Sequence, residues 1–232
     1  MHLRFVSRRA RALLAVGVVA VGVVAAGCDP EPPPPPPPPD PLVCDAPVGS
    51  SWGSVMVMGP CSQVSVQQIV DWWNAQNRPA YKASVPIDEL VTMYLTEGQV
   101  EGVRGDIAFM QSIIETGWFS FSGRVPADAN NFSGLGATDG TTSYATFPDA
   151  RTGVRAQIQH LRAYADSTAT SCTQPPLHNA CVDPRFDLVA PKGKAPTWNQ
   201  FGNGVWATDV GYSFKILVLY DLLLKTVDKP LA

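Results

Sequence analysis

Eight consecutive prolines, residues 32–39, constrain the fold of this chain more than any other feature. Proline lacks a backbone N–H and fixes φ, so such a run is excluded from helix and sheet interiors and favours extended polyproline II. Ten of the 22 prolines lie between Pro30 and Pro41, and proline is not enriched beyond them. The sequence therefore predicts a semi-rigid spacer over residues 28–41, roughly 40 Å long at about 3.1 Å per residue. A PxxP ligand for a partner module is the alternative role of this segment.

Residues 42–232 are predicted to form one folded domain, because they suffice to bury a sizeable core in a chain that is 45% hydrophobic and 16% charged. Four of the 17 basic residues precede Ala12, which leaves 13 basic residues against 20 acidic ones. This balance lacks the basic footprint of nucleic-acid-binding proteins. We expect a monomer with no nucleic-acid partner.

The segment before the spacer has the features of an export signal. Four arginines precede an uninterrupted run of small and apolar residues from Ala12 to Gly27, as in the charged and apolar regions of a signal peptide. This run is short for a membrane span, which needs about 20 residues. Ala25 to Cys28 resembles the lipobox of bacterial lipoproteins and predicts a signal peptide over residues 1–27 with lipidation of Cys28. Ala25 stands at the position where a lipobox usually has leucine. The alternatives to lipidation are therefore an uncleaved anchor helix and cleavage of the signal without addition of lipid.

The cysteine count agrees with export. Five cysteines would leave one thiol unpaired in an exported protein. If Cys28 carries lipid, four remain, and pairing the near neighbours is the simplest of three connectivities. That pairing joins Cys44 to Cys61 and Cys172 to Cys181.

Hydrophobic periodicity predicts a mainly helical domain. Ser65 and Gln68 have the spacing of a capping box, which marks the start of the first helix. Four further helices are predicted from near Pro86 to Gly98, from about Asp106 to Gly117, around Val154–Ala165, and over Tyr212–Lys225. The last helix is apolar on most sides and is expected to be buried. Between Phe119 and Phe147 the turn-forming residues favour an irregular lobe or a short hairpin.

Glu115 stands in the last turn of the third predicted helix, where acidic side chains are disfavoured by about 0.3 to 1 kcal/mol. Trp118, Phe119 and Phe121 follow closely and are expected to desolvate the carboxyl group. Both effects raise the pKa of a carboxyl group, as a general acid near neutral pH requires. The alternative is a solvated glutamate at a frayed helix end.

Four motifs resemble the glucosaminidases of glycoside hydrolase family 73. The segment from Asp106 to Trp118 is similar to the catalytic helix of that family, with its Glu-Ser/Thr-Gly-Trp ending. Residues 130–135 resemble the Asn-Asn-x-x-Gly-Ile/Leu motif, and residues 158–161 fall where the family has a helix that often bears a histidine. Residues 206–212 resemble the family's Tyr-Ala-Thr-Asp-x-x-Tyr motif. The resemblance implies a mainly α, lysozyme-like fold with a small lobe that is irregular or contains short β-strands. This lobe would form one wall of a cleft in which glycan strands of peptidoglycan are bound and cleaved.

The same resemblance assigns roles to individual residues. Glu115 matches the catalytic acid, and Asn130 and Asn131 match the motif that lines the cleft floor and shapes the lobe. Tyr212 matches a tyrosine that borders the cleft, and Trp118 is a candidate sugar-binding residue. The alternatives are core packing for Trp118 and Tyr212 and a turn role for Asn131. For Trp206 core packing and a sugar platform are both open, and His160 is expected to be a hydrogen-bonded structural residue.

The sequence departs from the family at the second catalytic group. Ser133 stands where an aromatic residue is common, and the lobe that follows is short. Asp139 is the better candidate for the second carboxylate, because Asp149 is also a plausible helix N-cap. A separation of about 6.5 to 9.5 Å from Glu115 predicts inversion, and about 5 to 5.5 Å predicts retention. If neither aspartate reaches the cleft, the 2-acetamido group of the substrate is expected to assist with retention.

Three functions follow from these observations. The first is an endo-β-N-acetylglucosaminidase, exported and lipid-anchored in the bacterial cell envelope, on the periplasmic side or the outer surface. The second is a lysozyme-like muramidase or lytic transglycosylase, and the third is a non-catalytic wall-binding lipoprotein. We expect no cofactor and no metal, since the residues after the signal include only His160 and His178 as imidazole ligands.

Overall fold

Five α-helices make up the framework of the part of the chain that the computed structural model describes, residues 41–44, 51–59, 61–137, 143–229 and 231. The helices are α1 (Val66–Asn74), α2 (Ile87–Glu101), α3 (Gly105–Thr116), α4 (Ala150–Ala165) and α5 (Tyr212–Lys225). The predicted signal peptide, Cys28 and all of the spacer except Pro41 lie outside the described residues. None of the described helices combines the length and apolar character needed to cross a membrane.

The helix boundaries follow from local capping. Ser65 and Gln68 form the predicted capping box at the start of α1, and Asp149 caps α4 by accepting a hydrogen bond from the Thr152 amide at 2.7 Å. Gly117 adopts a left-handed conformation with φ 59° and ends α3. The left-handed C-cap therefore sets the position of the last turn of α3.

The end of α2 differs from the prediction. The helix continues past Gly98 to Glu101 and is capped by Gly102 with φ 68°. Gly98 instead serves packing, since a Cβ built on it would lie 2.8 Å from the Cα of Gly105. Because neither Gly98 nor Gly105 has a side chain, the end of α2 approaches the start of α3 closely. The role of Gly98 is therefore close packing, and not termination of the helix as predicted.

Aromatic side chains fill the centre of the core around α3. Trp73, Phe109 and Phe119 are fully buried and contact one another with ring centroids 5.5 to 6.2 Å apart. The expectation that α5 is buried is wrong in part, because Phe214 is 64% exposed and Leu222 is 46% exposed. Eight of the 14 residues of α5 are buried, and the helix packs against α3 and against the 3-10 turn at residues 198–200.

Ion pairs to two buried glutamates hold α2 against α4. Glu97 contacts Arg151 at 3.0 Å and Arg155 at 2.8 Å. Glu101 contacts Arg162 at 2.8 Å and also accepts hydrogen bonds from the backbone amides of residues 178 and 179. Those amides belong to the loop that the Cys172–Cys181 disulfide closes, so this loop is fixed to the helical body. The second disulfide joins Cys44 to Cys61.

The lobe between α3 and α4 is irregular. Residues 119–137 and 143–149 contain a 3-10 turn, Ala127–Ala129, and no strand. Its segments are tied together by single backbone hydrogen bonds, from the Ala145 amide to the Leu135 carbonyl at 2.8 Å and from the Phe147 amide to the Ala129 carbonyl at 2.9 Å. The described residues thus confirm the mainly α, lysozyme-like fold with an irregular lobe.

Candidate active site

A cleft of about 470 Å³ lies between the end of α3, the irregular lobe and the segment before α5. Glu115 is the one carboxylate among the described residues that line it. The other lining residues are Thr116, Phe121, Gly123, Arg124, Val125, Asn131, Ser133, Gly134, Ala137, Trp206, Ala207 and Thr208. Residues from three of the four recognised motifs therefore meet at one cavity.

The chain that follows Glu115 is held in an unusual conformation. Trp118, Phe119 and Phe121 all have positive φ, at 61°, 52° and 50°, which costs of order 1–3 kcal/mol each for residues other than glycine. Phe119 is fully buried, and its amide donates to the Thr116 hydroxyl at 2.8 Å. Aromatic packing thus stabilises the tight turn that presents the end of α3 to the cleft.

Among the described residues, the carboxyl group of Glu115 has hydrogen-bond partners at one oxygen. Its Oε1 accepts a hydrogen bond from Trp206 Nε1 at 2.9 Å and a second from the hydroxyl of Tyr212. Its Oε2 forms no hydrogen bond with the described residues and lies 3.4 Å from the position that a Cβ would take at Gly134. Because both donors occupy Oε1, the proton of the neutral acid belongs on Oε2, beside Gly134 at the wall of the cleft.

Burial raises the pKa of the Glu115 carboxyl above its usual range. The hydrogen bonds from Tyr212 and Trp206 act in the opposite direction, because they stabilise the carboxylate, and they only partly offset the desolvation. The direction agrees with the expectation from sequence. A raised pKa keeps a fraction of this carboxyl protonated nearer to neutral pH than an exposed glutamate would be.

A chain of hydrogen bonds orients the Tyr212 hydroxyl. Gln157 Nε2 donates to the Ala108 carbonyl at 3.2 Å and to Gln111 Oε1 at 2.8 Å. Gln111 Nε2 in turn donates to the Tyr212 hydroxyl oxygen at 2.9 Å. Since a backbone carbonyl only accepts, Ala108 fixes the orientation of the Gln157 amide and hence that of Gln111. The hydroxyl hydrogen of Tyr212 is therefore directed to Glu115.

Tyr212 is the first residue of α5 and is 4% exposed. Its hydroxyl contacts Glu115, but the residue is not among those that line the cleft. The structure thus places Tyr212 beside the candidate acid, where its hydroxyl holds the carboxyl group. Direct contact with substrate stays a prediction.

Asn130 and Asn131 shape the lobe. Asn131 is 1% exposed, donates to the carbonyls of Leu135 and Ala145 at 2.9 Å each, and accepts from the Leu135 amide at 3.0 Å. Asn130 has the left-handed conformation, with φ 50°, and accepts from the Ser84 hydroxyl at 2.6 Å. Asn131 lines the cleft, whereas Asn130 does not. Their side chains are engaged in holding the wall of the cleft, and a substrate contact stays a prediction for both.

The two tryptophans considered from sequence lie in different places. Trp118 packs on Trp72 and Trp73, with centroids 6.1 and 5.7 Å away, and is not among the lining residues of the cleft. Trp206 lines the cleft, and its indole N–H donates a hydrogen bond to the candidate acid Glu115, a contact that the motif alone did not reveal. His160 is buried, as expected of a structural residue, with Nδ1 2.7 Å from Asp183 Oδ2.

The candidates for a second carboxylate have different positions. Asp139 lies in residues 138–142, outside the described residues, while Ala137 just before it lines the cleft. Asp149 is exposed and its carboxylate accepts the Thr152 amide, which lowers its pKa. Asp149 is thus occupied as a helix cap, and Asp139 stays a prediction. No cluster of three or more potential metal ligands occurs among the described residues.

Sequence reasoning missed several residues of the site. Gln157 and its partner Tyr94, whose hydroxyl donates to Gln157 Oε1 at 2.6 Å, complete the chain of hydrogen bonds. Sequence reasoning did not select Gln157, because a polar residue on an amphipathic helix usually lies at the surface. Its position next to Ile158, on the apolar stripe of the helix, was the one indication that its side chain could be buried. Arg124 and Thr208 line the cleft from loops that carry no periodic pattern.

Comparison with known proteins gives two matches. A family model described as mannosyl-glycoprotein endo-beta-N-acetylglucosaminidase matches residues 91–223. An uncharacterised protein of Borreliella burgdorferi is 38% identical over 138 residues, which cover 59% of this chain and 63% of that protein. The chain therefore spans less than two thirds of the length of this relative. No solved structure matches.

Proposed function

The chain belongs to the glucosaminidase family of peptidoglycan-degrading glycoside hydrolases, and on that basis we propose that it is an endo-β-N-acetylglucosaminidase. In this proposal it hydrolyses the bond between N-acetylglucosamine and N-acetylmuramic acid in glycan strands, and Glu115 is the general acid. The observation that carries the proposal is the Glu115 carboxyl group itself. It lies in a cleft, has a raised pKa, and keeps Oε2 free of hydrogen bonds to the described residues.

The geometry supports a defined proton transfer. Oε2 of neutral Glu115 donates its proton to the glycosidic oxygen as the bond to the anomeric carbon breaks. The carboxylate left behind is stabilised at Oε1 by the hydrogen bonds from Tyr212 and Trp206. These donors interact more strongly with the carboxylate than with the neutral acid, so they lower the free energy of the transition state.

Space beside Oε2 is provided by glycine. Gly134 has φ 67°, and any side chain there would contact Oε2. A glycosidic oxygen must approach this oxygen to hydrogen-bond distance, so the absence of a side chain at this position suits the proposed reaction.

The group on the opposite face of the sugar is proposed to be Asp139. In an inverting route its carboxylate activates water, and in a retaining route it attacks the anomeric carbon. The 2-acetamido group of the substrate is the alternative nucleophile and leads to retention. The anomeric configuration of the first-formed product, followed by proton NMR, distinguishes inversion from retention.

The central test is Glu115→Gln in the full chain. We expect loss of lysis of purified sacculi by about 10²-fold or more, with binding to sacculi retained, since glutamine keeps the shape of the carboxyl group but donates no proton. Glu89→Gln, a change at an exposed position of α2, is the matched control and should leave lysis unchanged. Undiminished lysis by the Glu115→Gln protein would exclude Glu115 as the acid.

Product analysis decides the bond. Reducing-end N-acetylglucosamine supports the proposed activity, whereas reducing-end N-acetylmuramic acid indicates a muramidase and 1,6-anhydro ends indicate a lytic transglycosylase. Binding to sacculi without any lysis by the unaltered protein would instead indicate a wall-binding lipoprotein.

The hydrolase domain and the two disulfides are consistent with a location outside the cytoplasm in the cell envelope. We further propose that residues 1–27 are removed and that Cys28 carries a lipid. Replacement of Cys28 by serine should abolish incorporation of labelled palmitate and release the protein from the membrane fraction. Retention of both label and membrane association by the serine variant would contradict lipidation at this residue.

A further inference from the structure

A second cavity of about 180 Å³ adjoins the cleft at Trp206. The two cavities share four lining residues, Ser133, Gly134, Ala137 and Trp206. The second cavity therefore lies next to the proposed catalytic acid along the same surface groove. A polymeric substrate bound at Glu115 would extend into it.

A cation lines this second cavity. The guanidinium of Arg185 forms no hydrogen bond or ion pair with any residue that the structure describes. Arg185 is half-buried, and the described residues that line this cavity include no carboxylate. A half-buried guanidinium without an anionic partner offers a fork of donors that matches a carboxylate.

The backbone around Arg185 is firmly held. Its amide donates to Asp183 Oδ1 at 2.8 Å, while Asp183 Oδ2 contacts His160 Nδ1 at 2.7 Å. Gln159 Oε1 accepts from the amides of Val182 and Asp183 at 2.9 and 3.3 Å. The loop is thus fixed to α4 at two successive side chains. A binding group mounted on such a loop loses little conformational entropy when a ligand arrives.

Two lysines contact residues that line the second cavity. Lys194 Nζ lies 4.7 Å from the ring centroid of Tyr164, and Lys192 Nζ donates to the Val189 carbonyl at 2.8 Å. Tyr164 and Val189 both line the second cavity. The Asp183 carboxylate also lies nearby, on the cavity-lining His160, so the two lysines add positive charge near a cavity whose own lining carries the cation of Arg185.

A buried polar atom lies where the two cavities join. Ser133 is 4% exposed, and its Oγ has no hydrogen-bond partner in the described structure. An unsatisfied buried hydroxyl costs free energy unless a ligand or a water completes it. Ser133 lines both cavities, but its Oγ is buried, so Arg185 is the group that presents a charge to this groove.

We propose that the second cavity is a subsite in which Arg185 binds a carboxylate of the glycan strand. The proposal rests on the proposed function, because peptidoglycan supplies the anionic group that a neutral N-acetylglucosamine polymer lacks. Two sources share this chemistry, the lactyl carboxylate of peptide-free N-acetylmuramic acid and the carboxylates of the stem peptide. Arg185 then selects strands by charge, and Glu115 cleaves them.

The test measures binding by calorimetry in the full chain carrying Glu115→Gln, so that turnover does not interfere. The ligands are a peptide-free glycan tetrasaccharide, the same tetrasaccharide with stem peptides, and both after their carboxylates are capped as amides. Arg185→Gln should weaken binding of at least one uncapped ligand by about tenfold, as expected for a charge-assisted pair at a half-buried site, and should leave the capped ligands unchanged. The uncapped ligand that is affected identifies the source of the carboxylate.

Lys225→Gln is the matched control, because it removes one positive charge from α5 at a position that lines neither cavity. It should change no affinity, and Arg185→Lys should recover part of the affinity lost in Arg185→Gln. Equal weakening of capped and uncapped ligands, no weakening at all, or no measurable binding of any uncapped ligand would each overturn the subsite. Undiminished sacculus lysis by Glu115→Gln would contradict the proposed function instead, so the two failures are distinguishable.

Discussion

The hydroxyl of Tyr212 donates a hydrogen bond to Glu115 Oε1, although the two residues are 97 positions apart in the chain. It joins the first turn of α5 to the last turn of α3. The same hydroxyl accepts from Gln111, one turn earlier on α3. The candidate acid is therefore held by the tertiary packing of two helices, and changes in this contact should alter both its pKa and its position.

Glu115→Gln should stabilise the protein at neutral pH while it abolishes lysis. The folded-state pKa of Glu115 is raised by desolvation, so ionisation of this carboxyl opposes folding above that pKa. Glutamine removes the buried charge. We expect a higher Tm for the variant at pH 7, and the difference should shrink as pH falls toward the ordinary glutamate pKa of about 4.3, where both proteins are neutral at this site.

Thermal unfolding followed by circular dichroism between pH 4 and pH 8 measures this difference. The control is Glu89→Gln, which replaces a carboxylate at an exposed position of α2 that does not line the cleft. If the Tm difference between Glu115→Gln and the parent protein is smaller at pH 7 than at pH 4, the Glu115 carboxylate is not destabilised by desolvation.

Tyr212→Phe should move the alkaline limb of the pH–rate profile to higher pH. The tyrosine hydroxyl lowers the pKa of Glu115 by stabilising its carboxylate, so its removal raises that pKa further. The general acid must be protonated, and activity is lost as pH rises through its pKa. Trp206 still donates to Oε1 in this variant. Initial rates on labelled sacculi from pH 4 to pH 9 provide the measurement.

Two comparisons make the Tyr212→Phe result specific. Gln111 Nε2 loses its acceptor in this variant, so the free energy of unfolding should fall by about 1–3 kcal/mol. Tyr81→Phe removes a hydroxyl that bonds to the Val85 carbonyl, outside the lining of the cleft, and should leave the pH profile in place. A limb that moves to lower pH would show that the hydroxyl does not stabilise the carboxylate.

Gln157→Leu should reduce kcat, although Gln157 does not line the cleft. The substitution removes the donor to Gln111 Oε1 and the acceptor of the Tyr94 hydroxyl, and frees the Gln111 amide to reverse. Reversal would turn Tyr212 toward Gln111 and away from Glu115. We therefore expect a lower kcat with little change in KM, and an alkaline limb of the pH–rate profile shifted in the direction expected for Tyr212→Phe. A change in stability alone, with kcat and pH profile intact, would assign Gln157 a purely structural role.

Asp139→Asn and Asp149→Ala should separate catalysis from stability. If Asp139 is the second carboxylate, asparagine lowers kcat by about 10²-fold or more with little effect on Tm. Asp149 caps α4, so alanine should cost about 1 kcal/mol of stability and leave kcat unchanged. Unimpaired turnover by Asp139→Asn would favour assistance by the acetamido group, which substrates without that group would then test.

Local signals predicted the parts of the site that depend on short stretches of chain. The capping box at Ser65, the glycine after α3 and the amphipathic stripes act within one or two turns, so the start of α1 and the end of α3 agree with the prediction. The low helix propensity of glycine suggested that α2 ends at Gly98. Close packing of that glycine on Gly105 overrides this preference, and such a contact exists only once both helices are placed.

The partners of Glu115 show the limit of the sequence. The sequence around Trp206 and Tyr212 does not distinguish a side chain that packs in the core from one that donates a hydrogen bond to a carboxyl group. Tyr212 does both, being 4% exposed and bonded to Glu115. The role of Gln157 depends on a carbonyl of α3 that accepts its amide, which no pattern within α4 encodes.

Halving the proline run should impair action on cells more than action on soluble fragments. If Cys28 is lipidated, residues 28–41 set how far the hydrolase reaches from the membrane, roughly 40 Å when extended as polyproline II. Deletion of residues 32–35 removes four of the eight prolines and shortens that reach by about 12 Å. Replacement of the same four residues by Gly-Ser-Gly-Ser keeps the length, removes the stiffness and serves as the control. Turnover of glycan fragments should be equal in all three proteins, whereas release of wall material from cells should fall most in the deletion. An equal loss on fragments and on cells would show that this segment acts on the domain itself and is not a spacer.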